Sequence, residues 1–127
     1  MPGVIALQKN KFSSYEEVQK EFAALNEKYK NENLQDIALL IVCDDADFVS
    51  EKLNNFLWVT FTRSNPSHDM YGINSFTENK HWGCKGPIVI DARIKPHHGP
   101  PLEKDIEIEK RINHLFEKGG SLHEIFK

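Results

Sequence analysis

The chain has 127 residues, 39% of them hydrophobic and 28% charged, with a formal net charge of −3. That is one domain with room for a real core. The acidic balance leaves no electrostatic footprint for nucleic acid, and no apolar run approaches the ~18 residues of a membrane helix. Cys43 and Cys84 are too few for a disulfide framework. MPGVIALQKNKF lacks the basic and then long apolar pattern of a secretory leader. Both features point to a soluble cytoplasmic protein.

Pro2 to Leu7 reads as a short edge strand, entered through a Pro-Gly turn. Ser13 or Ser14 can cap the helix that follows, with Glu16 or Glu17 completing a capping box. Val18, Phe22, Leu25 and Tyr29 recur at helical spacing, so this helix covers something apolar and ends near Lys30.

Ile37 to Val42 is an unbroken apolar run leading into Cys43, Asp44, Asp45 and Asp47. A run so short reads as a strand buried on both faces, with its polar end at the carboxyl edge of a sheet. The three aspartates could hold a divalent cation, as in a stand-alone metal-dependent transferase. The commoner role of such residues is to turn the chain and cap the next helix.

Ser50 is a candidate second N-cap. Leu53, Phe56, Leu57 and Phe61, widened by Trp58 and Val59, predict a helix buried over most of its surface and closed by Arg63. Ser64 to Ser67 is a turn around Pro66. Met70 to Ile73 predicts a second strand and Pro87 to Ala92 a third. Between them Ser75 to Gly86 reads as a polar loop of the length that often carries function.

Arg93 to Pro101 is a basic, proline-rich loop. Its Arg93, Lys95, His97 and His98 could attract an anion, or form a solvated or interface loop. His68, His81, His97, His98 and Cys84 fit no zinc spacing. Asp105 can cap a last helix with Ile108, Ile112, Leu115 and Phe116 on one face, ended by Gly119 and Gly120. The tail residues Leu122, Ile125 and Phe126 need a surface on this subunit or a neighbour. The element order predicts an α/β fold: a small mixed sheet with helices packed on its faces, a layered α/β sandwich. No Gly-rich phosphate loop and no catalytic set is legible.

Three ordered segments, LLIVCDDAD, NNFLWVTFTRSNPSHD and IVIDARIKP, carry a resemblance. From residue 37 onward the chain resembles the C-terminal domain of the UbiD-like decarboxylases. These are prenylated-flavin carboxy-lyases that include 3-octaprenyl-4-hydroxybenzoate decarboxylase. Trp58, Thr62, Arg63, Pro66, Asp69, Asp91, Ala92 and Lys95 fall on the family pattern in order, and the last helix continues it.

The resemblance implies a single domain, 1–127, of a longer non-oxidative decarboxylase acting on an aromatic or unsaturated acid. Prenylated FMN, its metal ions and the catalytic residues would lie in the remaining domains, with none in this chain, which would be inactive alone. The domain would shape the substrate pocket and support a homo-oligomer. His81, Trp82, Lys85, Arg93 and Lys95 are the substrate-side or interface candidates, and Leu122, Ile125 and Phe126 form the association tail. A regulatory interaction module is the other reading of a chain this size.

Overall fold

The computed structural model describes residues 1–100, 103 and 105–125. In chain order the elements are β1 (Val4–Gln8), α1 (Tyr15–Tyr29), β2 (Leu39–Cys43), α2 (Ala46–Glu51), α3 (Leu53–Thr62), β3 (Met70–Gly72), β4 (Ser75–Glu78), β5 (His81–Cys84), β6 (Ile88–Asp91) and α4 (Ile106–Phe116). The expected mixed sheet is there. Its order is β1-β2-β6-β3, with the first three strands parallel and β3 antiparallel to β6.

Alternation along β2 builds the layers. Leu40 and Val42 point to one side, where Val18 and Phe22 of α1 meet them together with Val89 and Ile73. Ile41 and Cys43 point to the other, against Val49 of α2 and Val59 of α3. A strand covered by helices on both faces must be apolar at every position, which is why β2 reads as an unbroken run. It begins two residues later than the run suggests. Ile37 donates instead to the Leu34 carbonyl in a turn, and pairing starts where Ala38 and Leu39 both donate to the Gly3 carbonyl.

The helix ends follow the capping logic. Ser14 accepts from the Glu17 amide, and Glu16 and Glu17 occupy the positive end of α1. Asp105 accepts from the Glu107 and Ile108 amides. Ser50 is not a cap. It sits inside α2, its hydroxyl donating to the Asp47 carbonyl, while Asp45 caps that helix through the Phe48 amide. The α3 N-cap is Lys52, which makes no side-chain cap bond.

Residues 75–86 are not a loop. They form a hairpin in which Asn79 and Lys80 both take positive φ, 51° and 67°, as a two-residue turn of the mirror-image type requires. The Phe76 ring lies over Gly83 directly across the pair, where a Cβ would come within 2.8 Å of it. The hairpin base is pinned to the end of α1. The Asn74 amide donates to Asn26 Oδ1, and its side chain donates to the Lys30 carbonyl.

Lysine is a poor occupant of a left-handed position, and its strain is partly balanced by restriction of the unfolded chain. Lys80→Gly is therefore expected to stabilise the protein by about 0.5 kcal/mol, roughly 2 °C in Tm for a domain of this size. Thermal unfolding followed by circular dichroism measures it.

Candidate functional site

The carboxyl edge of the parallel strands collects the chain's buried charge. Four charged side chains lie there within 2% of complete burial: Asp69, Asp91, Arg93 and Lys95. Asp91 ends β6, and its carboxylate takes both Nε and Nη2 of Arg93, at 2.9 and 3.0 Å. Arg93 also donates to the Asn10 carbonyl and pairs with Glu21 of α1 at 2.9 Å. Burial disfavours the guanidinium charge, but the hydrogen bonds and charges of Asp91 and Glu21 outweigh it and hold its pKa above the usual value.

Lys95 donates all three ammonium protons to carbonyls: Asp91 at 2.9 Å, Arg63 at 3.0 Å and Arg93 at 3.2 Å. Asp69 Oδ1 faces it at 3.4 Å, while Oδ2 accepts from the Asn65 amide. Arg93 and Lys95, expected to face a substrate or an interface, are thus consumed inside the fold. Neither cation is free to attract an anion from solvent.

Asp44, Asp45 and Asp47 do not converge either. Asp44 accepts from the Ile94 amide at 2.7 Å and faces Arg63 at 3.7 Å. Asp45 caps α2, and Asp47 is exposed in its first turn. Among the described residues no three His, Cys, Asp or Glu side chains come together in a way that could hold an ion.

Beside the buried charges a cleft of about 200 Å³ opens between Trp58, Thr62, Arg63, Ile94 and His98. The Arg63 guanidinium lies 5.1 Å from the Trp58 ring centroid. The Lys95 amide donates to His98 Nδ1, which places the neutral imidazole proton on Nε2. Burial, then His97 and Lys95, lower the His98 pKa. The cleft offers a guanidinium and an imidazole N–H to a small anion, but among the described residues no nucleophile paired with a base. The sequence reading named His98 for such a role and missed Arg63, whose geometry depends on how α3 ends.

His81, Trp82 and Lys85 lie exposed on and just after β5. Because Gly72 pairs with Ile88, the hairpin leaves the sheet at the amino end of β6, opposite the edge that holds Arg93 and Lys95. The five candidates therefore do not form one site.

Apolar surface stands out more than polar chemistry. The α3 helix presents Leu53, Leu57, Trp58 and Phe61 to solvent, and Phe61 is 71% exposed. The expectation of a mostly buried helix is corrected here: only Val59 and Thr60 face inward fully. Ile106, Ile108, Ile112, Leu115 and Phe116 of α4 are likewise exposed. Leu122 folds back so that its amide meets the Leu115 carbonyl, while Ile125 remains exposed. Phe126 lies outside the described residues.

No protein-family model matches the chain. A Chlamydia muridarum protein without a functional name is 28% identical over 89 residues, 70% of this chain and 15% of that protein. A 4-hydroxybenzoate decarboxylase subunit of Chlamydia pneumoniae is 28% identical over 81 residues, 64% of this chain and 14% of that protein. The chain therefore spans only about 15% of the length of the curated relatives it matches. A solved structure of Sedimentibacter hydroxybenzoicus vanillic acid decarboxylase overlays 91% of this chain and 27% of its own, with 19% identity and a TM-score of 0.42. A decarboxylase subunit thus stands among the proteins to which this chain is similar, at low identity.

Removing one partner of a buried ion pair strands the other. Lys95→Met is expected to cost about 3–5 kcal/mol in urea unfolding, and Asp69→Asn in the same chain to restore part of that, since the three carbonyls still lack their donor. Tyr71 tests the burial of the sheet differently. Its hydroxyl is pushed up to about 12 from an ordinary 10.0 by burial and then by Asp91 and Asp69. Above pH 10 the unfolded chain loses a proton that the folded chain keeps. Stability should therefore fall between pH 10 and about 12, and Tyr71→Phe should flatten that fall in stability-versus-pH curves.

Proposed function

We propose that this chain is an association domain of a UbiD-like non-oxidative decarboxylase. It corresponds to the family's C-terminal domain and is inactive alone. What carries the reading is its similarity to the chlamydial 4-hydroxybenzoate decarboxylase subunit. The surface supports it: a helix whose outer face is Leu53, Leu57, Trp58 and Phe61 leaves an apolar stripe of the kind that marks protein association.

In the intact enzyme the bond from carbon to carboxylate would break, carbon dioxide would leave and a proton would take its place. Prenylated FMN, held with its metal ions in the remaining domains, would supply the electron sink for that step. This chain's share is positional. The α3 face docks on the remaining domains, α4 and the tail Leu122 and Ile125 support a homo-oligomer, and the hairpin with His81, Trp82 and Lys85 approaches the substrate side. The assembly is cytoplasmic in this reading. Among the described residues no helix is long and apolar enough to cross a membrane.

The purified chain is expected to release no carbon dioxide from 4-hydroxybenzoate and to retain no flavin. Co-expressed with the decarboxylase polypeptide of the same cell, it should co-purify. Leu57→Asp with Phe61→Asp should weaken that association by about tenfold or more, since both are large apolar side chains exposed on the stripe. A chain that decarboxylates alone, or an association indifferent to both substitutions, would refute the proposal.

A further inference from the structure

Among the described residues nothing pairs with the outer side of β1. Its one strand partner there is β2. The Gly3 carbonyl accepts from Leu39 and the Lys9 amide donates to the Cys43 carbonyl. Alternation then turns the main-chain groups of Ile5 and Leu7 toward β2 and directs the amides of Ala6 and Gln8 outward. Proteins commonly blunt such an edge with charge, proline, a bulge or a covering segment. Val-Ile-Ala-Leu-Gln carries neither charge nor proline, and none of its residues is fully buried.

Each face of this edge has an apolar cleft. The larger, about 530 Å³, lies between Ile5 and Leu7 of β1 and Leu25 and Tyr29 of α1. The smaller, about 290 Å³, lies between Val4 and Ala6 on the opposite face and Val49, Leu53 and Phe56 of α2 and α3. Both arise because helices on the two faces overhang the last strand. A slot roofed and floored by apolar side chains, with free main-chain donors at its back, has the shape of a missing strand.

The charge around the slot is basic. Glu21, which lines the larger cleft, is held by Arg93. Lys9 and Lys28 line the same cleft and make no ion pair among the described residues. Lys52 stands at the smaller one, paired among the described residues with its neighbour Glu51.

We propose that the β1 edge is a β-augmentation site for an extended segment of a partner protein, apolar on both faces of its pleat and flanked by carboxylates. Its successive side chains enter the two clefts in turn. Its main chain bonds with the outward amides of Ala6 and Gln8, and its acidic flank meets Lys9 and Lys28. A second copy of this chain suits the slot less well, because it brings the same lysines against themselves. This inference rests on the edge geometry and not on the decarboxylase reading.

The test is fluorescence anisotropy on the whole chain with two labelled peptides. They share an alternating valine and isoleucine core, one flanked by aspartates and the other by lysines. The aspartate-flanked peptide should bind at least about tenfold more tightly, and added salt should narrow the gap. Ala6→Pro removes an outward donor without touching a bond to β2, and should abolish binding while the chain stays folded. If that variant unfolds, Lys9→Glu with Lys28→Glu replaces it and should reverse the preference between the peptides. No binding by the folded chain, or equal binding of both peptides, overturns the proposal. Self-association of the chain that Ala6→Pro abolishes overturns it too, since the occupant is then a second copy.

Discussion

The ammonium of Lys95 sits where three parts of the chain end, and everything above the carboxyl edge of the sheet depends on it. Its three protons go to the carbonyls of Arg63 after α3, Asp91 at the end of β6, and Arg93 beyond it. The carboxylate of Asp69, just before β3, answers its charge. Next to it Asp91 clamps Arg93, which reaches Glu21 on α1 and the Asn10 carbonyl. A hydrophobic substitute for Lys95 could fill the same volume, but would leave those three carbonyls without their donor and Asp69 without its counter-charge. Such a knot adds little net stability after desolvation. What it does here is fix where α3 stops, where β3 starts and how α1 lies across the sheet.

That constraint explains the resemblance seen in the sequence. Arg63, Asp69, Asp91, Ala92 and Lys95 are spread over some thirty residues of chain, yet they gather in and around one buried knot. At these five positions the pattern coincides with the packing around the knot. In the proposed association role, this chain's contribution lies on its surfaces: α3, α4, the hairpin and the β1 edge.

Most of the fold was legible because local chemistry and burial agree. Ser14 and Asp105 announce their helices, and the run ending at Cys43 could only be a strand covered on both faces. The hairpin escaped because its strands are short and mostly exposed, so no alternation shows, and because Lys80 hides the turn that Asn79 begins. Periodicity identified the apolar face of α3 but could not say whether this chain or another covers it. Arg93 and Lys95 read as a solvated basic loop, since charge is normally exposed. Their burial depends on Glu21, Arg63 and Asp69, which sequence spacing does not connect to them. The Arg63 and His98 cleft was half-legible for the same reason: the histidine stood in view, while the arginine was placed by a helix end.

The most direct measurement is size-exclusion chromatography of a cell extract, with an antibody against this chain, and flavin absorbance and carbon dioxide release followed across the same fractions. The account predicts that the chain elutes in, or as part of, an assembly far larger than 14.7 kDa, coincident with flavin and with decarboxylase activity. Elution of the chain at its own mass, apart from both, would contradict it.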